Sequence, residues 1–143
     1  MNDPYSPRPV AGWFRAAAVV SLLFMLLGCA LYVMHVSTDP ATLPLDQRAL
    51  FEAEPGWVSG AMGAASAVGA IGSAFMIARR RTAESLLLIS LLLVFVWFAG
   101  LFAVPQLRDL LSTTEIAIGI AVTAITWTIY WFARHSRQRG WLR

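Results

Sequence analysis

Charge is absent from four long stretches of this chain. Residues 16–34, 56–78, 85–107 and 116–133 run for 19, 23, 23 and 18 positions without Asp, Glu, Lys or Arg. A hydrocarbon layer about 30 Å thick is crossed by roughly 20 helical residues, so each run is long enough to span once. None alternates with the period of two that a lipid-facing barrel strand shows. Open strands would leave backbone N–H and C=O groups unpaired in lipid. The pattern predicts an all-α, polytopic membrane protein: four transmembrane helices in an antiparallel bundle, forming one domain over residues 1–143. The expected spans are residues 11–35, 56–78, 83–104 and 114–134, with an external loop at 36–55 and a basic tail at 135–143.

Helix-end signals support these limits. Pro9 precedes the first span and is expected to open it, Pro55 stands before the second, Thr82 is placed to cap the third and Pro105 to end it. Ser112 and Glu115 have capping-box spacing at the start of the fourth. Within the external loop, residues 44–52 read as a short helix, with Pro44 in its first turn and Asp46 facing the positive end of its dipole. Leu45, Ala49 and Phe51 make it amphipathic. It is expected either to rest on the outer headgroups or to cover a cavity between the helices.

Composition strengthens the membrane reading. Hydrophobic residues make up 58% of the 143 and charged residues 13%, against about 25% charged in ordinary soluble domains. A core this small cannot hide such an excess. All eleven basic residues are arginine, and their distribution gives an orientation. Arg8, Arg15, Arg79, Arg80, Arg81, Arg134, Arg137, Arg139 and Arg143 fall at one end of the spans, and only Arg48 and Arg108 at the other, beside Asp39, Asp46, Glu52, Glu54, Asp109 and Glu115. The positive-inside rule places both termini in the cytoplasm. Arg79, Arg80, Arg81, Arg134, Arg137 and Arg139 are the expected topology and headgroup contacts. The net charge of +3 follows from topology, and no nucleic-acid surface is expected. Trp13, Trp57, Trp127 and Trp131 fall where interface anchors belong.

The second span carries the packing information. Gly60 with Ala64, Gly63 with Ala67, and Gly69 with Ser73 place small residues four apart on several faces, which is how helices approach closely in lipid. This helix is expected to be the centre of the bundle or an oligomer seam.

Chemistry is sparse by comparison. No ionisable residue other than Cys29 lies near the middle of a span, which disfavours ion- or proton-coupled pumping. The hydroxyls of Ser21, Ser66, Ser73, Ser90, Thr123, Thr126 and Thr128 are expected to bond their own helix backbones. His35, at the outer end of the first span, precedes the loop carboxylates Asp39, Asp46, Glu52 and Glu54. It is the one speculative catalytic or metal-binding side chain, but a lone imidazole falls short of a ligand set. Leu26, Leu27, Gly28 and Cys29 have the form of a lipoprotein processing box, yet the apolar run continues past Cys29 as a full span should. No cofactor and no metal is expected.

Leu43, Pro44, Arg48, Ala49, Leu50 and Phe51, then Glu54, Pro55, Gly56 and Trp57, are followed by the Gly/Ala-rich span, the arginine triplet, Ser90-Leu91-Leu92 and the closing Trp131-Phe132-Ala133-Arg134 to Trp141-Leu142. This arrangement resembles a group of small bacterial four-span membrane proteins. Members are usually described as hypothetical membrane proteins or as sugar transporters. The resemblance implies the bacterial inner membrane and no particular mechanism; its motifs are structural, and Arg81-Thr82-Ala83 departs from the usual basic-Trp-Ala. Three function classes follow. The first is a non-enzymatic packing or helper subunit, acting as a homo-oligomer or within a larger membrane complex. The second is a small-solute transporter or facilitator, and the third a membrane enzyme using His35.

Overall fold

A computed structural model describes residues 9–143; Arg8 lies outside the described residues. Among those residues the chain is all-helical: α1 (Gly12–Ser37), α2 (Leu45–Ala53), α3 (Gly56–Ile77), α4 (Thr82–Ala103), α5 (Pro105–Leu110) and α6 (Thr113–Gln138), with a 3-10 turn at Pro40–Thr42. Helices α1, α3, α4 and α6 are each long and apolar enough to cross a membrane. They form a four-helix bundle, the architecture of a multi-pass membrane protein.

Local chemistry sets most helix ends. At the start of α6 the Glu115 N–H donates to Ser112 Oγ at 3.4 Å and the Ser112 N–H donates to Glu115 Oε2 at 2.8 Å, completing the capping box. Helix α3 begins directly after Pro55, and α4 stops at Ala103 because the residue before a proline is held extended. Two expectations need correcting. Thr82 is the first residue of α4, preceded by Arg81, and no side chain caps that end. Helix α1 opens at Gly12 after Ala11, without Pro9. Pro105 does more than end α4, since its fixed φ also starts α5, which the apolar pattern did not show.

In space the order is α1, α3, α4, α6: α3 packs on both α1 and α4, and α4 on α6. Glycines permit the closest approaches. A Cβ at Gly63 would lie 2.7 Å from the Tyr32 ring of α1, and one at Gly119 of α6 would lie 2.5 Å from the Phe98 ring of α4. Most hydroxyls within the spans bond their own helices, as expected: Ser21, Ser66, Thr123, Thr126 and Thr128 each donate to the carbonyl four residues earlier. Ser90 departs from that expectation. Its hydroxyl crosses to the Ala65 carbonyl at 2.7 Å and ties α4 to α3, because Gly69 leaves room for it there. Ser73 departs too, being fully buried with no partner for its hydroxyl.

The arginine-rich end is closed. Helix α3 terminates in a Schellman turn, in which the Arg80 N–H donates to the Phe75 carbonyl and the Arg79 N–H to the Met76 carbonyl. This turn puts Arg79 at φ 60°, a conformation usually left to glycine. Helix α6 ends in the same way, with Gly140 at φ 73°. Arg79 is held by the segment after that second turn. Its carbonyl accepts the Arg143 N–H at 2.6 Å, its Nε donates to the Trp141 carbonyl at 2.9 Å, and the Arg81 N–H donates to the Arg143 carbonyl at 3.0 Å. Trp141 and Leu142 are thereby buried against Phe14, Ala18, Ala83 and Ala133. Trp141 meets the Phe14 ring edge-on at 5.7 Å, and Phe14 meets Phe132 at 5.6 Å.

Candidate functional site

The acidic end is built differently. Here the four long helices spread around a cavity of about 260 Å³ that α2 and α5 partly cover. Helix α1 contributes Leu31, Tyr32 and His35; α2 and the residue after it contribute Leu50 and Glu54; α3 contributes Ser59 and Met62. Trp97 and Leu101 come from α4, Leu107 and Leu111 from α5 and its end, and Glu115 and Ile118 from α6. A smaller apolar void of about 60 Å³ lies deeper and shares Leu31 and Met62 with it. Beyond that void the bundle is packed with Met25, Met76, Leu87 and Phe14.

Three ionisable side chains other than Tyr32 line this cavity. His35 Nε2 lies 3.5 Å from Glu54 Oε2, and the His35 ring sits 4.6 Å from that of Phe51. Glu54 is brought inward because α2 ends at Ala53 and packs Leu50 and Ala53 on the Val58, Leu101 and Leu107 cluster. Burial raises the Glu54 carboxyl above its ordinary value, and the facing imidazole lowers it by a smaller amount. Glu115 has one oxygen committed to the capping box and still borders the cavity. The Ser59 hydroxyl is turned back to the Gly56 carbonyl. Among the described residues no arginine lines the cavity: Arg48 is paired with Glu52 at 2.8 Å on the exposed side of α2, and Arg108 is exposed beside Asp109. The result is a mainly apolar chamber with two carboxylates and an imidazole on its wall. Among the described residues no group of three or more His, Cys, Asp or Glu side chains is arranged to hold a metal ion.

The remaining sequence-derived candidates are distributed elsewhere. On α3, Gly63, Gly69 and Ser73 are buried, whereas Ala64 and Ala67 are exposed and Gly60 has open space where a Cβ would stand. Trp13, Trp57, Trp127 and Trp131 are all more than half exposed. Among the arginines, Arg79 binds the docked C-terminal segment and Arg80 lies over the Phe75 ring. Arg137 pairs with Glu84 at 2.7 Å, Arg134 donates to the Tyr130 hydroxyl, Arg139 donates to His135, and Arg81 is exposed. Cys29 is a free, half-buried thiol in the uninterrupted helix α1.

Of the loop carboxylates near His35 in sequence, only Glu54 reaches the cavity. Trp97 and Glu115 carried no signal for it, one standing in an apolar run and the other in a helix cap. Compared with known proteins, the chain matches no family model, no curated protein and no solved structure.

Proposed function

We propose that this chain is a multi-pass protein of the bacterial inner membrane, with both termini cytoplasmic, that works by association rather than by covalent chemistry. In this reading it is a small helper subunit that pairs with a second copy of itself or joins a larger membrane complex. One observation carries the proposal. Helix α3 uses one face inside the bundle and presents a second stripe of small residues outward, Gly60, Ala64, Ala67 and Ala74 around Ile71. Such a stripe at intervals of three and four is the surface on which lipid-embedded helices pack. The orientation rests on the arginine distribution, with exposed Arg81, Arg134 and Arg139 available to anionic headgroups.

The test is cysteine crosslinking in native membranes with Ala64→Cys or Ala67→Cys in a Cys29→Ser background. A crosslinked band at twice the chain's mass or larger is expected. A chain that remains monomeric under both substitutions would remove the proposal. Labelling of intact cells with an impermeant reagent checks the orientation, since a labelled terminus contradicts it.

The acidic-end cavity favours a second reading, a small-solute facilitator, in line with the sugar-transporter description attached to the group this sequence resembles. That reading needs the packed arginine-rich end to open in every cycle. Proteoliposome uptake at background for sugars and other polar solutes would end it.

A further inference from the structure

The cavity at the acidic end has a chemistry of its own, independent of whether α3 pairs with anything. Its charged groups are the carboxylates Glu54 and Glu115, with His35 against the first, and its aromatic walls are Tyr32 and Trp97. The rest is aliphatic. An anion would meet two carboxylates there, with a single imidazole, already paired with Glu54, to set against them. A sugar would find few free hydrogen-bonding groups, because Ser59 is turned to its own helix and one Glu115 oxygen is taken by Ser112. A small metal ion needs a tighter donor set than these residues give. A diffuse organic cation is matched on both counts: carboxylates offset its charge, and aromatic faces attract it while the apolar wall receives its methyl or methylene groups.

We propose that the cavity lined by His35, Glu54, Trp97 and Glu115 binds the ammonium group of a small amine or quaternary-ammonium compound, entering from the acidic end. The same group is offered by free amines and by ammonium-bearing lipid headgroups. The half-open chamber of about 260 Å³ accommodates a head of this size. Glu54 contributes most, since its charge is held in a partly desolvated position and gains most from a cation beside it.

The experiment uses the purified chain in phosphatidylglycerol nanodiscs, which contain no ammonium headgroup. Choline is titrated against its uncharged isostere 3,3-dimethylbutan-1-ol, with binding read by calorimetry. In a parallel arm, phosphatidylethanolamine is introduced into the nanodiscs and the unfolding midpoint is followed. Choline is expected to bind at least about tenfold more tightly than the isostere, with Glu54→Gln and Trp97→Ala each weakening it about tenfold. Asp46→Asn, a loop change away from the cavity, should leave it unaffected. Circular dichroism confirms that each variant is folded. If choline is silent but phosphatidylethanolamine raises the midpoint, and Glu54→Gln removes that rise, the ammonium comes from lipid and the proposal stands. Equal binding of choline and its isostere, undiminished binding by folded Glu54→Gln, or no response in either arm would overturn it.

Discussion

The two ends of the bundle solve the same problem in opposite ways. At the arginine-rich end, two helix-terminating turns and the segment 141–143 interlock, and Phe14 of α1 packs its ring against Phe132 of α6 and against Trp141. At the acidic end, short helices α2 and α5 lie over a chamber that their side chains leave unfilled. One end is closed with aromatic packing and backbone hydrogen bonds, its half-buried Glu84 paired with Arg137, and the other holds its partly buried carboxylate on a cavity wall. Stability is therefore concentrated at the first and binding capacity at the second. A residue's worth to the fold depends on which end it occupies.

The sharpest way to break this contrast is Trp141→Ala. Deleting a buried indole from a packed cluster is expected to lower stability by about 3 kcal/mol, read from unfolding in mixed micelles, while leaving choline affinity at the other end unchanged. Equal loss of both would show that the ends are one cooperative unit. Next comes Gly119→Val. The added methyls meet the Phe98 ring directly, and a cost of about 2 kcal/mol is expected. This change should perturb the neighbouring chamber, where Ile118 forms part of the wall.

A smaller effect of opposite sign belongs to Ser73. Its hydroxyl is buried without a partner, so Ser73→Ala is expected to raise stability by about 1 kcal/mol in the same unfolding assay. The smallest effect is the pH response of Glu54, whose carboxyl faces His35 from α1 and shares the chamber with Glu115 from α6. Its folded pKa lies above the ordinary 4.5. Between those two values the folded chain keeps a proton that the unfolded chain has lost. Its contribution is therefore fully present below about 4.5 and declines as pH rises through the folded pKa. Unfolding measured as a function of pH should show that decline, and Glu54→Gln should flatten it.

Much of this architecture is legible in the linear pattern, for physical reasons. A span needs only length and the absence of charge, so the four long helices stand out, and the Ser112/Glu115 box marks a start because both its partners are local. The short helix after Pro44 was equally readable. Apart from the short helix α5 that follows Pro105, what escapes depends on residues distant in sequence. Nothing local shows that Arg79 will take a left-handed turn, because the contacts that hold it come from Trp141 and Arg143. Nothing local selects Glu54 from four loop carboxylates as the partner of His35, or turns the Ser90 hydroxyl toward α3 rather than its own helix. Trp97 is indistinguishable in composition from a lipid-facing ring until α4 is placed between α3 and α6.

The docking of residues 141–143 also bears on the order of assembly. Helices α1, α3 and α4 meet partners adjacent in the chain and can pair as soon as each hairpin has entered the bilayer. The Phe14–Trp141 contact joins segments separated by most of the sequence and the Arg79 latch joins residues 62 apart, and such long-range closure is intrinsically the slow part of folding. Until it forms, a nascent bundle would have an unlocked base, with lipid tails free to occupy the place later taken by the indole.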